Sequence, residues 1–199
     1  LASDRPTLVA GSTWPADERK LLPAWERARA AVREARLVIA PHEPTEAHLA
    51  PIERWAAGAG LRLARLSSAG APDADVVLVD RVGVLGELYA LADAAYVGGG
   101  FHAAGLHSVL EPAAFGAPVL FGPRFANSRD AELLIEAGGG IAAPDSATLT
   151  AVLVDWLSDA AARRGAGDRA RSLVERGLGA AERSWALVEE LLATRDPSR

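Results

Sequence analysis

Short apolar runs alternate with longer amphipathic stretches along most of the chain, and this alternation is what most narrows the fold. Residues 7–10 (TLVA), 37–40 (LVIA), 61–66, 75–80, 95–97 and 118–121 read as buried strands, with a weaker one near Ile141 and Ala142. Helices are expected between them. The first is capped by Ser12 or Thr13, carries Pro15 in its first turn and runs to about Arg36, with Pro23 as a kink or break. Others cover residues 43–57 (ended by Gly58 or Gly60), 85–92, 108–115 (closed by Gly116) and 128–137. Residues 146 to about 195 read as helical and amphipathic, and the tail from about Asp196 is expected to fray. Strands that are apolar throughout are buried on both faces. Alternating with helices, they form a parallel sheet covered on both sides, with right-handed crossovers. Ligands bind such sheets beyond the carboxyl ends of the strands. The loops that matter therefore follow Ala10, Ala40, Asp80, Val97 and Phe121.

Composition sets outer limits. The chain has 199 residues, half of them hydrophobic, which suits one α/β domain, here residues 1–145, with a helical extension over 146–199. The net charge of −5 has both signs interspersed and argues against a general nucleic-acid binder. Without cysteine there are no disulfides, thiolate metal sites or cysteine nucleophiles. No HExxH-type spacing points to a metal. No GxSxG motif marks a hydrolase serine. No apolar run is long enough to span a bilayer, about 20 residues. The chain lacks methionine and opens on Leu1, so it is expected to be a piece of a longer protein.

The loop after the fifth strand is the most informative. It opens Gly98-Gly99-Gly100 and leads through His107 to Ser108-Val109-Leu110-Glu111. Glycines at a strand end let backbone approach a ligand closely. A helix starting near Ser108 would aim free N–H groups at an anion such as phosphate. The same glycines also suit a tight turn with no ligand, and the motif is neither GxGxxG nor a P-loop. Glu111 is expected to be partly buried beside Leu110 and Pro112. A carboxylate there suits a ribose diol, or else simply favours the helix start. Ser12 and Thr13 can cap a helix and still face the crevice. His42 reads as a surface or capping residue. Trp14, Trp25, Trp55, Trp156 and Trp185 read as packing residues.

These segments carry a resemblance. The texts ADAAYVGGGF, GLHSVLEPAAFGAPVLFGP and NSRDAELLIEAGGG, with GSTWPADE and APHEPTE upstream, resemble the C-terminal domain of the Kdo transferases in order and spacing, from about Val9 to Gly140. Those enzymes move 3-deoxy-D-manno-octulosonic acid (Kdo) from CMP-Kdo to lipid A precursors. The resemblance implies a Rossmann-like sheet of about six strands, the C-terminal domain of a GT-B architecture. It implies donor contacts at Ser12, Thr13, Pro41 and His42, at the loop Val82, Gly83, Val84 and Leu85, at Gly98, Gly99 and Gly100, and at Ser108, Val109, Leu110 and Glu111. It further implies an inverting transfer without catalytic metal or cofactor. The general base and the acceptor site would lie in an N-terminal half not present here, so these residues alone are expected to be inactive. Membrane association, at the cytoplasmic face of the inner membrane, would come through that half.

The sequence also departs from the family. Its usual Arg before the histidine is Pro41, a usual Glu is Val84, a usual Asn is Ser108, and a usual Ser is Gly100. Two alternatives stay open: another GT-B enzyme using a UDP-sugar (a UDP-GlcNAc transferase or epimerase), or a non-catalytic Rossmann-like binding module. The number of Kdo units transferred, the exact acceptor and the oligomeric state are not legible in the residues.

Overall fold

The computed structural model describes residues 1, 3–178 and 180–193. The strands are β1 (Thr7–Thr13), β2 (Arg36–Pro41), β3 (Leu63–Arg65), β4 (Val76–Leu78), β5 (Ala94–Val97), β6 (Val119–Phe121) and β7 (Gly140–Ala142). Among the described residues they form one parallel sheet in the order β3-β4-β2-β1-β5-β6-β7, seven strands where about six were expected, because the weak segment at Ile141 pairs with β6. The chain builds outward from β1 through β2, then crosses back to lay β5 on its other side. The β1/β5 junction is thus the topological switch point, beyond whose carboxyl end the ligand crevice of such a sheet lies.

Side-chain alternation sorts the core onto two faces. Leu8, Ala10, Leu37, Ile39, Val76, Leu78 and Tyr96 pack with helices α1 (Pro15–Ala31), α2 (Glu46–Gly58) and α6 (Ser146–Ser158). Val9, Val38, Ala40, Val77 and Ala95 face the other way, towards α3 (Leu85–Leu88) and the 3-10 turn Tyr89–Leu91 that follows it. Further along, Val97, Val119 and Phe121 meet α4 (Leu110–Ala114), α5 (Arg129–Glu136) and α7 (Ala160–Gly177). On α1, Leu21, Ala24, Trp25 and Ala28 fall on one stripe at helical spacing and are fully buried. That stripe holds the helix together through Pro23, which neither breaks nor ends it. The helix stops at Ala31, five residues before the expected end, because Arg36 is already a strand residue whose buried guanidinium donates to the Thr7 hydroxyl at 3.2 Å. Helix α2 ends as expected: Gly60, at φ +67°, follows it, and Leu61 N–H reaches Ala56 O at 2.9 Å. The stretch after residue 146 is three helices, α6, α7 and α8 (Ala180–Ala193), with Asp145 and Asp159 capping the first two. The expected fray beyond Asp196 lies outside the described residues.

At the amino end of the sheet, opposite the crevice, Asp75 is buried among cations. Its carboxylate pairs with Arg5 (3.2 Å), Arg29 (2.8 Å) and Arg62 (3.1 Å), tying the N-terminal segment and α1 to β4. Burial opposes ionisation of Asp75, but hydrogen bonds from Arg62 and the charges of Arg29 and Arg62 outweigh it and hold the carboxyl well below the usual range. A carboxylate whose folded-state pKa is depressed stabilises the fold fully above the ordinary aspartate value, about 3.9, and loses that contribution as the pH falls towards the folded value. Asp75→Asn is expected to lower stability at neutral pH by about 2–3 kcal/mol. It should also flatten the acid limb of the pH–stability curve. Urea denaturation at a series of pH values tests both; an unchanged acid limb would mean the arginines hold nothing there.

Candidate functional site

The crevice begins with an irregularity in β1. The register slips between Gly11 and Thr13, so that Thr13 lies opposite Pro41, and Ser12 takes φ +53°. Such a conformation costs a non-glycine residue roughly 1–2 kcal/mol. It re-aims the chain so that neither Ser12 nor Thr13 caps α1. The N-cap is Trp14, and Asp17, three residues on, reaches back to accept its N–H at 3.0 Å. The Thr13 hydroxyl is buried and donates to Glu18 at 2.8 Å, and the same Glu18 oxygen meets His48 Nε2 at 2.9 Å. Burial pushes the Glu18 carboxyl up, against the opposing pull of His48 and Thr13.

Asp17 is the residue that organises the site, and the sequence reading did not single it out. Fully buried, it accepts four hydrogen bonds among the described residues: from Trp14 N–H, Gly99 N–H (2.8 Å), Phe101 N–H (3.0 Å) and the Tyr96 hydroxyl (3.1 Å). Burial and the adjacent Asp17 charge drive the Tyr96 hydroxyl well above its ordinary pKa, so it stays a donor.

Two of the three glycines spend their N–H groups within the protein instead of offering them to an anion. Gly98 N–H goes to Gly11 O at 2.9 Å, and Gly99 N–H goes to Asp17. The glycines' role is close approach. A Cβ on Gly98 would stand 2.1 Å from Ser12 O, one on Gly99 2.1 Å from Gly105 O, and one on Gly100 2.4 Å from Gly122 N. The end of β1 and the loops after β5 and β6 are pressed together there backbone to backbone.

The crevice is lined by side chains. Trp14 stacks on His102 (ring centroids 4.1 Å, interplanar angle 5°) and on His42 (4.5 Å, 25°). His42 also lies 4.6 Å from His107, and the Trp14 indole donates to His107 Nε2 at 3.2 Å. Three of the chain's four histidines and one tryptophan, from the loops after β1, β2 and β5, thus form one cluster. Trp14 is part of the site, unlike Trp25 and Trp156, which are packed in the core as expected. His42 is exposed but belongs to the stack. No grouping of three or more His, Cys, Asp or Glu side chains able to hold a metal ion occurs among the described residues.

The remaining predicted residues lie on the end of β2, the loop after β4 and the segment between β5 and β6. Pro41 is buried at the end of β2, and His42 N–H bonds Thr13 O at 2.9 Å. In the loop after β4, Val82 is 77% exposed, Gly83 has φ +83°, and Val84 precedes α3. Leu85 abuts Gly11, as does the Tyr89 hydroxyl; each would collide with a Cβ there. Two expectations are corrected at α4. The helix starts at Leu110 and is only five residues long, with Val109 as N-cap, so Ser108 is exposed and caps nothing. Glu111 is exposed, because the buried side of so short a helix is Pro112 and Ala113. No protein group among the described residues donates to its carboxylate. Glu111 nonetheless lies by the crevice: with burial, its charge raises the pKa of Tyr89, whose hydroxyl sits against Gly11.

A doubly covered parallel sheet with its switch point between β1 and β5 defines a class, the Rossmann-like α/β domains, and solved structures agree on that fold. The C-terminal CMP-Kdo binding domain of WaaA from Acinetobacter baumannii superposes with a TM-score of 0.76 at 22% identity, over 86% of this chain and 90% of that domain. Anabaena HepE, solved with UDP, gives 0.67 at 13% identity over 96% of this chain and 49% of its own. Within that class the chain is a homologue of the 3-deoxy-D-manno-octulosonic acid transferases. It is 31% identical to the Bordetella pertussis transferase over 96% of the chain, and 31% identical to that of Aquifex aeolicus over 76%. It spans just under half the length of either, 46% and 42%. No family model matches the sequence.

Proposed function

We propose that the chain is the donor-binding half of a Kdo transferase of lipopolysaccharide biosynthesis, holding CMP-Kdo in the crevice at the β1/β5 junction. The observation that carries this reading is the Trp14–His42–His102–His107 cluster at the carboxyl ends of β1, β2 and β5, to which α4 adds Glu111, a carboxylate with no protein donor among the described residues. CMP-Kdo offers a match for each: a phosphate and a sugar carboxylate for imidazole N–H groups, and a ribose diol for Glu111. The contacts assigned to Ser12, the 82–85 loop and residues 108–110 belong to the same proposal. So do the inverting, metal-independent transfer, with fixed N–H dipoles stabilising the departing CMP, and the lipid A precursor acceptor, engaged by a half outside these residues. Attachment at the cytoplasmic face of the inner membrane would also come through that half; no helix of the described residues is long and apolar enough to cross a membrane.

Calorimetric titration of the chain with CMP, UMP and UDP tests the donor. CMP is expected to bind best. Preference for UDP would favour a UDP-sugar enzyme, and binding of none would favour a non-catalytic module. Glu111→Ala is expected to weaken CMP binding by about 1–3 kcal/mol, since bonds to a charged acceptor contribute that much. Its stability should not change, as the side chain is exposed; unaltered affinity would remove Glu111 from the site.

A further inference from the structure

We infer that Trp14 is a positioning residue that holds His107 as a neutral imidazole with its proton on Nδ1, so that this ring meets an anionic ligand as a hydrogen-bond donor and not as a cation. The inference rests on the donor reading only for the identity of the ligand. Its geometric basis is one bond. An indole N–H can only donate, and Trp14 Nε1 lies 3.2 Å from His107 Nε2. That nitrogen must therefore carry a lone pair, which leaves Nδ1 as the protonated one in the neutral ring. Among the described residues no protein group bonds His107 Nδ1, so its N–H is available to a bound molecule.

The surroundings reinforce the neutral form. Burial disfavours the imidazolium, and His42 and His102 beside it disfavour a further positive charge, while Asp17 alone pulls the other way. The Trp14 indole cannot easily swing off its acceptor. It is sandwiched between the His42 and His102 rings, and its backbone N–H is fixed by Asp17. His102 provides a built-in contrast. Its Nδ1 accepts the Ala104 N–H at 3.2 Å, so it is held in the opposite tautomer, protonated on Nε2. Two imidazoles of one cluster thus present different nitrogens, each set by a different partner.

Long-range 1H–15N correlation spectra of the 15N-labelled chain, between about pH 5 and 8, read each tautomer directly. His107 is expected as the Nδ1–H form and His102 as the Nε2–H form. Trp14→Phe keeps an aromatic ring in the stack but removes the N–H. In it His107 should move towards the Nε2–H form and its titration midpoint should rise by up to about one pH unit, with His102 unchanged. An Nε2–H or protonated His107 at neutral pH in the unaltered chain, or a wild-type tautomer and midpoint in Trp14→Phe, overturns the inference. The unaltered chain decides the matter even if the variant does not fold. CMP added to the same samples separates this from the donor reading. The expected tautomer without CMP binding sinks the donor and leaves the role of Trp14 intact. CMP binding to a chain with Nε2–H His107 does the reverse.

Discussion

Replacing Asp17 by alanine is expected to cost the fold more than about 4 kcal/mol and to abolish nucleotide binding. The carboxylate is the common acceptor for Trp14, Gly99, Phe101 and Tyr96, which come from two separate segments of chain. Without it, N–H groups at the crevice floor and a buried hydroxyl lose their partner together, each at about 1–3 kcal/mol. Water can recover some of that at Trp14, which is only part-buried, but not at Gly99, which is buried. Asp17→Asn keeps the size and one carbonyl oxygen, yet turns an NH2 towards N–H donors, so about half of the loss should remain. Urea denaturation followed by circular dichroism measures both variants. A loss under about 1 kcal/mol for Asp17→Ala would mean that the loops hold their shape without the aspartate.

The second large effect is expected at Gly98. A methyl group there would meet Ser12 O at 2.1 Å, Ser12 C at 2.6 Å and Thr13 Cα at 2.7 Å, all backbone or Cα atoms that cannot rotate away. Relief requires the β1 and β5 strand ends to part, and the β1 end is already strained at Ser12. Gly98→Ala is expected to destabilise by about 3 kcal/mol or more. Gly86→Ala is the matched control. It lies on α3 with no atom within 4 Å of a new Cβ, so it should be neutral or stabilising by up to about 1 kcal/mol. Thermal melting of the two side by side separates lost backbone freedom from collision; equal effects would discount the collision.

The sheet was legible because burial on both faces writes itself locally, as in the wholly apolar 37–40 run, and because Gly60 and Gly116 punctuate the helices at positive φ. The end of α1 was not. Residues 32–36 continue a helix-like pattern, and what stops the helix is the pairing of Arg36 with Thr7, 29 residues away. The same locality explains the candidate site. The glycine loop and Glu111 stand out in sequence because composition marks them. Asp17 and Trp14 do not, since an acid in a first helical turn and a tryptophan beside a proline have ordinary local explanations. Their partners at Gly99, Phe101, His102 and His107 are more than 80 residues on. The single local hint was the adjacent pair Asp17 and Glu18, three and four residues after Trp14. Glu111 was misjudged for the opposite reason: its neighbours in sequence are buried and it is not.

The backbone-to-backbone closure at Gly98, Gly99 and Gly100 has a consequence for how such a crevice can diversify. The N–H groups of Gly98 and Gly99, which a phosphate could otherwise use, are spent on cohesion, so on the donor reading recognition falls largely to replaceable rings and carboxylates set upon a fixed floor. On that reading altered preference can be sought at positions 42, 102 and 111 while the stitching beneath is left untouched. In engineering terms the domain is a chassis with interchangeable readers.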